Sequence, residues 1–99
     1  MSYIYIISTC NHDNGPVKIG ISDNPDKRLK QIQTGHPEKI EIKYLEEIST
    51  RKKTLELEKS LHKDFSIYRS HGEWFNMTVN DAISFLKFSI IQYGDSDIA

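Results

Sequence analysis

The stretch YIYIISTCNHDNGPVKIGI, residues 3–21, decides the fold. Tyr3 to Ser8 are rich in aromatic and β-branched side chains, the composition of a strand, and Asn11 to Pro16 is dense in turn formers. Val17 to Ile21 then returns as a second strand. The two close most simply as an antiparallel hairpin around a loop longer than the two-residue ideal.

Working outward, Asp23 or Asn24 caps a helix that takes Pro25 in its first turn, has Leu29 and Ile32 three apart, and stops at Gly35. Ile40, Ile42 and Tyr44 alternate with Glu41 and Lys43, the period of a strand with one buried face. Ser49 or Thr50 caps a second helix running to about Phe65, and Thr78 caps a third that runs through Tyr93 and ends at Gly94. Between those helices, Gly72 to Met77 (GEWFNM) is read as a short extended segment or a turn. The order strand, strand, helix, strand, helix, short segment, helix predicts a small α+β layer fold. One domain is expected over residues 1–94, with a flexible tail over 95–99.

Composition narrows the function classes. The chain has 99 residues, 37% apolar and 27% charged, which suits one packed core. Its formal charge is −1, so bulk electrostatics argue neither for nor against nucleic acid, and any anion site has to come from local placement. Cys10 is alone, which rules out an intramolecular disulfide and a thiolate metal cluster and points to the reducing cytoplasm. No apolar run approaches the roughly 18 residues of a membrane span, and no basic run precedes the short apolar N-terminal stretch, so neither membrane insertion nor secretion is expected.

The pattern breaks in the second helix. Leu55, Leu57, Leu61 and Phe65 form an apolar arc, and Glu58 falls inside it while Glu56, Lys59 and Lys63 point elsewhere. An unpaired carboxylate is costly to bury, so Glu58 either pairs with a cation, reaches the rim of the core, or holds a metal ion. His62 lies four residues on, along the same side. It either assists the metal or a leaving group, or bonds a backbone carbonyl.

Three further residues are ordinary singly: Tyr5 as a core or edge aromatic, Lys18 as a strand lysine facing solvent, Arg28 as a surface helix arginine. Together with Glu58 they have a joint chemistry. Phosphodiester cleavage needs a group that positions or activates water, positive charge to neutralise the phosphorane, and a carboxylate for a metal. His12, His36 and His71 fall in predicted loops, too scattered for a zinc site. Trp74 and Phe75 read as core plugs rather than base-stacking platforms.

At these residues the sequence resembles the GIY-YIG nuclease superfamily. Tyr3-Ile4-Tyr5 is similar to its first motif and Lys18-Ile19-Gly20 to its second; Arg28 matches the arginine that follows, and LELEKSLHKDF matches the helix bearing the family's metal-binding Glu, here Glu58. VKIGIS, DKRLKQIQTGHP, ELEKSLHKDF and GEWF resemble more narrowly the short phage T5-type branch, also called the meiotically up-regulated 113-type.

The resemblance implies a three-stranded antiparallel sheet flanked by helices, one divalent cation (Mg2+ or Mn2+) on Glu58, and hydrolysis of one DNA strand at a time without a stable covalent intermediate. Tyr5 would position or deprotonate the attacking water, Arg28 would hold the scissile phosphate, and Asn76 would stand for the terminal asparagine that closes the site. The sequence departs from the family at Tyr3, where Gly is usual, and at Lys18, where most members carry tyrosine. A lysine there serves electrostatically or, if desolvated, as a base. It departs also at Ile32, where some members place a histidine.

The expectation is therefore a metal-dependent DNA endonuclease of low intrinsic specificity. Lys27, Lys30, His62 and Asn76 are candidate substrate contacts within a wider basic set. The alternatives are a catalytically silent nucleic-acid-binding module, or a protein-interaction domain. The wide apolar face of the third helix, with Phe85, Phe88 and Ile91, suits a partner, so the chain is expected as a monomer or as a homodimer through that helix.

Overall fold

A computed structural model of the chain describes residues 2–10, 13–48 and 50–91, with the backbone alone for His71. Its elements run β1 (Ser2–Thr9), β2 (Val17–Ser22), α1 (Pro25–Thr34), β3 (Ile40–Ile48), α2 (Arg51–Asp64), one 3-10 turn (Ser66–Tyr68), β4 (Arg69–His71), β5 (Trp74–Phe75) and α3 (Val79–Ser89). The hairpin forms as the sequence expects. Tyr5 pairs with Gly20 and Ile6 with Ile19, antiparallel, and β3 joins the other side of β1, also antiparallel.

Because strand side chains alternate between faces, β1 feeds two cores. Ile4 and Ile6 join Val17, Ile19, Leu57, Leu61 and Leu86 on the face covered by α2 and α3. Tyr5 and Ile7 join Ile40, Leu29 and Ile32 on the face covered by α1. Burial on both faces explains why β1 is almost continuously apolar.

Two expectations are corrected. Among the described residues the sheet has five strands, in the order β3-β1-β2-β5-β4, not three. The segment expected to be one short strand or turn is a hairpin, so two short strands, not one, precede α3 in the chain. Gly72 turns it at φ +55, a conformation that L side chains rarely adopt, and β5 extends β2 through Val17↔Phe75 and Lys18↔Trp74. The free edge of β2 and the full burial of Phe75 drive this pairing. A two-residue strand has no period to read.

Capping follows the residue chemistry. Asn24 accepts from the Lys27 N–H at 3.2 Å, Thr50 from Lys53, and Thr78 from Asp81 at 3.1 Å. The apolar arc of α2 is rotated from its predicted position. Leu55 is exposed, and Thr54 is buried instead, its hydroxyl donating to the Thr50 carbonyl at 2.7 Å. β3 runs on to Ile48, and a register shift opposite Ile6 and Ile7 leaves Ile40 and Ile42 on the α1 face but turns Tyr44 to the other, so the expected single buried face does not hold. The expected end of the third helix at Tyr93 and Gly94, and the tail over 95–99, lie outside the described residues, as does His12. Among the described residues no helix is long and apolar enough to cross a membrane.

Candidate active site

The site forms where β5 stops. Along β2, β5 reaches only Val17 and Lys18, so the backbone of β2 beyond Lys18 needs other partners on that side. The Ile19 N–H donates to the Glu73 carbonyl at 3.4 Å, and the Ile19 carbonyl accepts from His62 Nε2 at 3.0 Å. A carbonyl only accepts, so Nε2 carries the proton and, in the neutral imidazole, Nδ1 holds the free lone pair. Phe75 packs edge-on against the imidazole, ring centroids 5.1 Å apart. The backbone-bonded reading of His62 is therefore what the structure contains, and it orients the ring.

Buried Leu57 and Leu61 seat α2 on the sheet, which brings the residues that follow each of them, Glu58 and His62, to the edge of β2, stacked one turn apart. The turn after Gly72 delivers Glu73 from the opposite side. The ligand atoms of Glu58, His62 and Glu73 all lie within 4.8 Å of one another. Glu58 is half-buried. Burial pushes its carboxyl above the ordinary 4.5, the facing charge of Glu73 pushes it further, and His62 and Lys18 pull it back. Among the described residues no arginine forms an ion pair with it. Two facing carboxylates and an oriented imidazole are a donor set that fits a divalent cation, whose charge would relieve their repulsion.

Lys18 and Tyr5 reach the same edge from the α1 face. Lys18 is 7% exposed rather than facing solvent. It lies beneath the β4–β5 hairpin, 3.1 Å from Glu73 Oε1 and 5.8 Å from the centroid of the Trp74 ring. Tyr5 is 1% exposed, and its ring crosses directly over Gly20. A Cβ at position 20 would sit 2.7 Å from Tyr5 Cζ, which explains the glycine of the KIG motif. Burial raises the Tyr5 hydroxyl above its ordinary 10.0; Arg28, bonding to it and charged, lowers it, and Glu73 and Glu58 raise it again. Arg28 also donates to Gln31 at 3.4 Å. With Lys27, Ser22, Asn24 and Arg51 it lines a shallow groove of about 360 Å³.

Tyr5, Lys18, Arg28, Glu58 and His62 thus converge, and Glu73 joins them. Sequence reasoning passed over Glu73, although its position after a turn glycine in GEWF was the available signal. Lys27 is exposed in the groove beside Arg28, and Lys30 is exposed on α1. Asn76 is exposed and lines a different groove, with Asn14, Pro16, Tyr68 and Thr78. His36 stacks on Trp74 at 5.2 Å, behind Lys18.

No curated protein and no solved structure matches the chain. A family model for the T5orf172 domain matches residues 2–89, from the first strand to the end of the last helix. The chain belongs to the T5orf172 domain family.

Proposed function

We propose that the protein is a divalent-metal-dependent endonuclease that hydrolyses DNA phosphodiester bonds with low intrinsic sequence specificity. The observation that carries this reading is the convergence, at one sheet edge, of a metal-competent donor set with a buried lysine, an arginine and a tyrosine hydroxyl. Membership in the T5orf172 family is compatible with a nuclease-like or DNA-binding role. A cation held at Glu58, Mg2+ or Mn2+, would neutralise charge on the cut phosphate.

The chain's own groups divide the remaining work. Arg28 grips non-bridging phosphate oxygens through its planar fork. Lys18, desolvated beneath the hairpin, adds positive charge where the phosphorane forms. Tyr5 brings its hydroxyl to this edge beside Arg28, where it positions or deprotonates the attacking water. Lys27 and Arg51, in the adjacent groove, suit flanking phosphates.

Incubation with supercoiled plasmid and Mg2+ or Mn2+, beside Glu58→Gln and with DNA binding measured in parallel, tests the reading. Metal-dependent nicking that disappears in the variant supports it. Binding without nicking in either protein defeats it and favours a silent binding module.

A further inference from the structure

Glu58 alone would offer a cation one hard oxygen ligand, the kind that Mg2+ accepts while keeping most of its waters. The site offers more. His62 has its Nε2 proton committed to the Ile19 carbonyl at 3.0 Å. A second group that fixes the tautomer and orientation of an imidazole in this way is the usual support of a metal-ligating histidine. Glu73 has one carboxylate oxygen on Lys18 and turns its carboxylate towards Glu58. One ring nitrogen of His62 and one carboxylate oxygen from each of Glu58 and Glu73 lie within 4.8 Å of one another. Donors around one first-row ion sit about 3–4 Å apart, so small side-chain rotations bring them into contact with it.

Resting on the reading of this edge as a metal-dependent nuclease site, we infer that its ion is a first-row divalent transition metal, held by Nδ1 of His62 together with Glu58 and Glu73. Imidazole nitrogen suits such ions and adds little for Mg2+. The two carboxylates supply the charge, and the histidine supplies the choice of metal. Because one Glu73 oxygen can stay on Lys18, the lysine is held beside the ion without displacing it.

The test uses the full chain and Mn2+ as the probe. Mn2+ affinity is measured by EPR titration, Mg2+ affinity by competition, and the bound Mn2+ is examined by pulsed EPR for nitrogen coupling. The expected result is Mn2+ binding tighter than Mg2+ by about tenfold or more, with a nitrogen signal. In His62→Gln, whose amide can still donate to the Ile19 carbonyl, the nitrogen signal should vanish and Mn2+ affinity fall about tenfold or more, Mg2+ affinity being unchanged. Absence of nitrogen coupling in the unsubstituted chain, equal affinities, or equal weakening of both ions in His62→Gln overturns the inference. Should that variant unfold by circular dichroism, the spectrum of the unsubstituted chain decides alone. Nicking with no nitrogen signal removes this inference and leaves the nuclease reading, whereas a nitrogen signal without nicking does the reverse.

Discussion

At Gly20 a single missing methyl group lets the Tyr5 ring lie across β2 and bring its hydroxyl to the edge. A Cβ there would meet Tyr5 Cζ at 2.7 Å and Cε1 at 3.0 Å, and neither ring nor strand has room to retreat in a fully packed sheet. Gly20→Ala is therefore expected to cost about 1–3 kcal/mol by overpacking, read from denaturant midpoints, and to displace Tyr5 enough to depress nicking. An unchanged midpoint would show that the ring is not held there. Glu58 makes the opposite trade. Burial and the Glu73 charge both disfavour its ionised form, so Glu58→Gln should raise the melting temperature of the metal-free chain by roughly 2–5 °C. The same variant should lower metal-dependent nicking by about a hundredfold or more. A variant both less stable and inactive would mean that the carboxylate is structural.

At the scale of elements, α1 is the weakest support for a site residue. None of its ten residues is fully buried, and it holds to the sheet through Leu29 and Ile32 and through the Asn24 cap. Asn24→Ala should cost about 1 kcal/mol and, by loosening the first turn, weaken the effect of Arg28. Nicking should then fall mainly through a higher KM, and a pure kcat effect would contradict this. The helix was legible in the sequence because Asn24, Pro25 and Gly35 each act through local chemistry, and the β1–β2 hairpin was legible for the same reason. Most of what escaped reading depends on contacts distant in the chain. Lys18 reads as a solvent-facing lysine until Glu73, 55 residues later, folds over it. The β4–β5 hairpin has no period of its own, so it becomes a pair of strands only because β2 offers an edge. Glu73 was missed with it, since its role comes from where that edge places it. Leu55 was assigned to the core because Thr54 gave no hint that its hydroxyl would be satisfied by the Thr50 carbonyl and so be free to pack inward.

Over the whole molecule, the sheet separates two cores, and the site lies where groups from both faces meet around one strand edge. Its geometry therefore depends on the sheet staying intact under the conditions of assay, and alkaline pH is where the protein's own groups oppose that. Tyr44 on β3 packs against the larger core, donates to Glu46 at 2.7 Å, and has the Lys87 ammonium 5.6 Å from its ring centroid. Burial first, and then the Glu46 carboxylate through hydrogen bond and charge, push its hydroxyl up from 10.0 to about 12. The unfolded chain therefore releases this proton first as pH rises, binds fewer protons than the folded chain above pH 10, and is favoured by each further increment. Stability owed to the protonated phenol is complete below pH 10 and is lost as pH climbs towards 12. Tyr5, also raised, adds in the same direction. Tyr44→Phe removes the titrating group while keeping the ring, so urea midpoints measured across this range should fall less steeply than in the unsubstituted chain, with the remaining slope carried in part by Tyr5. Parallel slopes for the two proteins would mean that Tyr44 titrates as it does in water and that its bond to Glu46 does not form in solution.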